Sequence, residues 1–209
     1  MIRAAIMRGD LKPNQRLIEA ELTKELHTSR FHLRSALSRL ESEGLIETRK
    51  HHGARVREIS VEEAIDMVEI LMPVASLLAG HAAERAHGAD LESVRQLREE
   101  VSAAAAHGDV LSFPGLELRL HQHLGAFARN ASGASLVEQL NIRLSGYQLR
   151  VALMPGHARQ GYLRQLAIID AVQAHNAERS VEITANHVAR VAASIKTMGF
   201  SSFDAATPR

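Results

Sequence analysis

Residues 22–56 read LTKELHTSRFHLRSALSRLESEGLIETRKHHGARV, and this stretch decides the fold. Leu33, Ala36, Leu37 and Leu40 are spaced i, i+3, i+4, i+7, which draws one apolar stripe along an amphipathic helix. Thr28 and Ser29 offer N-cap oxygens in front of it, and Gly44 offers a left-handed stop behind. Ala20, Leu22 and Leu26 outline a shorter helix that turns sharply into this one. Two such helices predict a helix-turn-helix, whose second helix lies in a DNA major groove. At about 100° per residue, Arg30, Phe31, Arg34, Ser35 and Ser38 spread over the arc opposite the stripe. The N-terminal residues of such a helix meet base edges, and Arg can take guanine bidentately. Ser29, Arg30, Phe31, Arg34 and Ser35 are therefore the candidate base contacts.

After Gly44 the period changes. Ile46, Thr48 and Lys50 alternate with Glu47 and Arg49, His51-His52-Gly53 make a turn, and Ala54 and Val56 resume the alternation. This predicts a two-stranded hairpin, the wing of a winged helix. Arg49, Lys50, His52, Gly53 and Arg55 are its candidate DNA contacts. A solvated surface helix followed by an ordinary hairpin is the plain alternative. Cap, stripe, paired arginines and wing all point instead to one DNA-binding head.

The charge distribution agrees. Residues 1–57 hold 12 Lys and Arg against 7 Asp and Glu, a balance of +5, while the remainder holds 13 against 17, a balance of −4. A basic head on an acidic body is the asymmetry expected when only one part of a chain meets nucleic acid. Apolar residues at 45% exclude a disordered chain, and the absence of Cys excludes disulfides, thiolate metal sites and cysteine nucleophiles. No run is read as approaching the roughly 18 apolar residues of a membrane span, and MIRAAIMRGD is not a signal peptide, so a soluble cytoplasmic protein is expected.

The fold expected is mainly α. A winged helix-turn-helix fills residues 1–58, an antiparallel bundle of about six helices fills 59–200, and 201–209 form a loose tail. Ile2 to Arg8 make a first helix, stopped by Gly9. Ser60 and Glu63 form a capping box for the first bundle helix, in which a kink is expected at Pro73 and which ends near Ala86. The other bundle helices are expected over Asp90–Ala106, Asp109–Arg129 (disturbed at Pro114-Gly115), Ala134–Met154, Gly161–His175 and Glu178–Met198.

Glu117 and His121 are i, i+4 on one helix. His187 falls on the stripe Thr184, Val188, Val191, Ile195, and Gln165 on the stripe Ile168, Ile169, Val172. Three helices thus point polar groups inward, and carboxylate with imidazole from facing helices is how bundles build metal sites. Satisfied buried polar groups are the plain alternative for each residue taken alone. The other histidines read as surface groups.

The segments GDLKPNQRLIEAELTKEL (9–26), SRFHLRSALSRLESEGLIE (29–47) and the Gly53 wing resemble the N-terminal domain of the GntR family of bacterial transcription regulators. That family usually reads Gly-Val-Ser-Arg-Thr-Pro-Val-Arg where this chain has His27-Thr28-Ser29-Arg30-Phe31-His32-Leu33-Arg34. Both arginines are kept, the turn glycine and the Thr-Pro pair are not, and Ile18 stands where a Ser cap is common. The first helix is shorter than the family's, as an upstream start or an abbreviated helix would make it. LELRLHQHLGAFARNASG (116–133) and QLAIIDAVQAHNAERSVEITANHV (165–188) resemble the FCD domain, the helical effector domain of the family's FadR branch.

The resemblance implies a homodimeric one-component regulator that binds a short palindromic operator and a small-molecule effector, an organic acid by analogy. FCD domains commonly hold a divalent metal with one Asp and three His. Carried over, the Asp position is Glu117, two His positions are His121 and His187, and the third is Gln165. Gln is a poor ligand, so a weakly held ion (Zn, Ni or Mn) stands beside a metal-free reading. An Arg that FCD domains often place in the first bundle helix is Leu71 here. Arg143 and Arg150, beside the stripe Leu136, Leu140, Leu144, Val151, are the nearest substitutes, so Gln165, Arg143 and Arg150 are the candidate effector residues. Two rivals remain: a DNA-binding protein with a vestigial sensor, and a metal-dependent enzyme on the bundle. The second lacks a nucleophile–base pair and leaves the head unexplained.

Overall fold

The computed structural model describes residues 1–49 and 53–204. It divides into two units, Met1–Ile59 and Ser60–Arg209, one residue beyond the expected boundary.

In the first unit, α1 (Ile2–Arg8) buries Ile2 and Ile6 and stops at Gly9, whose φ is 79°. There follow β1 (Arg16–Leu17), α2 (Glu19–Glu25), α3 (Arg30–Ser42), β2 (Ile46–Arg49) and β3 (Gly53–Val56). The predicted helix-turn-helix is α2 and α3. Ser29 caps α3, its hydroxyl accepting from the His32 N–H at 3.2 Å, and Gly44 beyond the helix takes φ 74°. Leu33, Leu37 and Leu40 are buried, but Ala36 is exposed, so the stripe is narrower than its spacing suggested. Ile18 stands at the N-cap of α2 and supplies no side-chain bond, so that helix starts without a polar cap. The wing strands pair antiparallel, Ile46 opposite Val56 and Arg49 opposite Gly53. The hairpin is only part of the sheet: β1 pairs with β3, Arg16 opposite Arg55, which gives the order β1-β3-β2.

The second unit contains the expected six helices among the described residues: α4 (Val61–Arg85), α5 (Ala89–His107), α6 (Phe113–Phe127), α7 (Ala131–Ala152), α8 (His157–Gln173) and α9 (Ala177–Asp204). Ser60 caps α4 through the Glu63 N–H at 3.1 Å, and α4 runs through Pro73 as one continuous helix. It is the central element, packed against α6, α7, α8 and α9. By length and composition α4 would be long and apolar enough to cross a membrane, contrary to the expectation that no stretch comes near this. Half of its apolar window is buried inside the bundle instead, as in a core helix. Close approaches are set by small residues. A Cβ on Gly80 would lie 2.8 Å from Val181 of α9, and one on Gly125 of α6 would lie 2.6 Å from Ala134 of α7.

Several helix ends differ from expectation. Asp109 does not begin α6; its carboxylate accepts from the Leu111 and Ser112 N–H groups in a turn, and the helix starts at Phe113 with Pro114 in the first turn, where a missing N–H costs nothing. Gly88, not Asp90, is the N-cap of α5. Asn130 caps α7 three residues earlier than expected, and α8 starts a turn early because Gly156, at φ 76°, leads straight into it. The expected tail is helical as far as Asp204.

Candidate nucleic-acid interface and ligand cavity

In the head, α3 displays the predicted face. Arg30, Phe31, Arg34 and Ser35 are all exposed, Phe31 at 77%. An apolar ring left in water at the start of this helix suits a thymine methyl, as the arginines suit guanine. Arg30 has no partner among the described residues. Arg34 is engaged: its Nε donates to both carboxylate oxygens of Glu19 on α2, at 2.9 and 3.2 Å. Ser29 is exposed, but its oxygen serves the cap. On the wing, Arg55 pairs with Glu47, and Arg49 lies 3.5 Å from the same carboxylate. Gly53 takes φ 75°, which a wing turn requires of glycine. Lys50 and His52 lie outside the described residues.

In the bundle, Glu117, His121, Gln165 and His187 do come together, each at most 4% exposed. His187 Nε2 lies 2.7 Å from Glu117 Oε1, and Gln165 Nε2 donates to Glu117 Oε2 at 2.6 Å. Arg164 Nε approaches His187 Nδ1 at 3.3 Å. A guanidinium can only donate, so Nδ1 must accept and the ring proton sits on Nε2, donating to Glu117. The result is a polar chain, Arg164 to His187 to Glu117, met from the other side by Gln165. Burial alone would push the Glu117 carboxyl up; its interactions with His187, then with His121 and the Gln165 amide, outweigh it and hold the carboxyl below its usual range. Burial pulls the His121 ring below its usual value, and its Nδ1 lies 3.0 Å from the Glu117 backbone oxygen.

Both oxygens of Glu117 already accept hydrogen bonds, and the Gln165 amide turns an N–H, not a lone pair, toward them. Among the described residues no group of three His, Asp or Glu side chains is disposed to hold a metal. The Gln165 Oε1 is left buried without a partner.

A cavity of about 1090 Å³ opens beside this chain, between α7, the Pro155-Gly156 turn, α8 and α9, with Phe113 forming part of its wall. His187 lines it, so the cluster and the cavity are continuous. Neither Arg143 nor Arg150 is among its lining residues. Arg143 is half-buried, and Arg150 is exposed with its guanidinium 5.6 Å from the Tyr147 ring centre. The α7 residues that do reach the cavity are Val151, Ala152 and the polar Gln148, whose Nε2 donates to Asn141 Oδ1 at 2.8 Å. Leu136, placed on the core stripe by its spacing, is 38% exposed, and Val137 is buried instead. The arginines lining the cavity are Arg159, Arg164 and Arg190, which periodicity alone did not single out. The one sign in the sequence was polar: Asn141, Ser145 and Gln148, at i, i+4, i+7, mark an inward face of α7 that is not apolar.

Residues 1–56 match the family described as bacterial regulatory proteins, gntR family, and residues 66–190 match the FCD domain. The HTH-type transcriptional regulator YdhC of Bacillus subtilis (strain 168) is 24% identical over 141 residues, 67% of this chain and 63% of that protein. A Paenarthrobacter nicotinovorans protein, named for repression of a D-xylose utilization operon, is 27% identical over 184 residues, 88% of this chain and 80% of its own. The solved structure of E. coli McbR/YncC superposes with a TM-score of 0.82 at 20% identity, covering 94% of each chain, which supports the fold.

Proposed function

Because the chain belongs to the gntR family of bacterial regulatory proteins, in the branch that carries an FCD domain, we propose that it is a cytoplasmic one-component transcription regulator. It binds a short palindromic operator as a homodimer and is released from it by an organic anion bound in the bundle. The families and relatives it matches are transcriptional regulators, not enzymes.

The exposed start of α3 carries the DNA reading. Arg30 and Phe31 stand exposed at the end of the helix that enters the groove, on a helix whose opposite face is buried. Dimerisation is supported by α4, on which Ile70, Pro73 and Leu77 form an exposed apolar stripe at i, i+3, i+7. A two-fold partner would cover that stripe and double the DNA site. The bundle cluster works without a metal, its metal position taken by the Gln165 amide. A cavity of about 1090 Å³ has room for a drug-sized ligand, which favours a working sensor over a vestigial one.

The test is selection of DNA by the full chain from a random-sequence pool. An enriched short palindrome is expected. Enrichment of no sequence, or of a single non-repeated half-site, would count against a dimeric operator reader.

A further inference from the structure

Three arginines and two histidines line the bundle cavity, and no Asp or Glu is among its described lining residues. Two of the arginines are unusual. Arg164 is half-buried, and its one hydrogen bond among the described residues is to the neutral ring of His187, which cannot balance a charge. Arg190 lies three residues after His187 on α9, so it projects from a neighbouring position on the same side of the helix. Neither has a carboxylate within ion-pair distance among the described residues. Burial is the main influence lowering the proton affinity of Arg164; Glu117 opposes it, and Arg190 adds to the lowering, so the two guanidinium groups feel each other. Like charges that line one cavity repel each other, and an anion held between them relieves the repulsion. One carboxylate leaves half of that charge uncompensated. The N-terminus of α8, at Gly156 and His157, borders the same cavity and adds the positive end of its dipole.

Resting on the reading of this chain as a ligand-responsive regulator, we infer that Arg164 and Arg190 form a metal-independent site for a doubly charged oxyanion, a phosphate monoester or a dicarboxylate. Guanidinium forks match the oxygen spacing of both groups. His187 is a positioning residue: it holds Arg164 toward the cavity while its own orientation is fixed by Glu117. Gln148 borders the same cavity and lies beside the uncharged part of the ligand.

The full chain is melted in EDTA at fixed ionic strength with inorganic phosphate, malonate, acetate or chloride, and binding constants are taken by calorimetry. Phosphate or malonate is expected to raise the melting temperature, and acetate and chloride are not. The larger response of the first two identifies which dianion the site takes. Arg164→Gln and Arg190→Gln should each weaken that binding by about tenfold or more. Arg190 is exposed, so its variant folds even if loss of Arg164 disturbs His187. Unchanged affinity in Arg190→Gln, an equal response to acetate, or a response that EDTA abolishes would overturn the site. Operator binding is followed on the same samples. Loss of the anion site with operator binding intact overturns this inference alone, whereas wild-type protein that selects no DNA overturns the regulator reading.

Discussion

His27 stands in the turn between α2 and α3 at φ 48°, in the left-handed region where a residue with a Cβ is strained. Relatives of this domain usually place glycine there, so the departure seen in the sequence has a local cost in the structure. His27→Gly should stabilise the head by about 1 kcal/mol, partly offset by the greater freedom of glycine in the unfolded chain. Chemical denaturation measures it, and a loss of stability would show that His27 makes contacts worth more than its strain. Gln165 is the second informative departure. It donates to Glu117 at 2.6 Å where a metal-binding side chain would offer a lone pair. Gln165→His should restore a third imidazole and create zinc- or nickel-dependent stabilisation, a rise in melting temperature absent from the wild type. A metal-dependent rise of equal size in the wild type would refute the metal-free cluster. These residues were legible in the sequence because their identities break a pattern. Arg164 and Arg190 were not, because nothing in their spacing distinguishes a cavity-lining arginine from a solvated one.

Elements were readable in proportion to their length and the quality of their punctuation. α3 was bounded correctly because the Thr28-Ser29 pair and Gly44 punctuate its two ends. β1 went unread because two residues carry no period. Ala36 and Leu136 were misplaced because the edge of an apolar arc satisfies helical spacing while facing water. α4 raises a different question, since its buried face and its exposed Ile70, Pro73 and Leu77 are both apolar. Exposed apolar stripes of this kind mark interaction surfaces. Leu77→Glu should therefore convert a dimer to a folded monomer in sedimentation and weaken operator binding, while leaving helicity intact. A variant that stays dimeric would place the dimer contact elsewhere.

At the scale of the whole molecule, the chain separates two tasks. A head of residues 1–59 carries the excess basic charge, and a bundle from Ser60 onward holds an open cavity lined by three arginines. The two-part design was legible from charge and periodicity. The cavity's lining was not, since it depends on which sides of α7, α8 and α9 converge. The function of both units rests on α3 reading DNA sequence. The most direct test of that reading compares dissociation constants of wild type and Arg30→Ala on the selected operator and on a scrambled duplex, across a range of salt. A base-contacting Arg30 predicts a loss of about 1–3 kcal/mol on the operator and little change on the scrambled duplex, so that discrimination between them shrinks. Equal loss on both duplexes, or none on either, would contradict it.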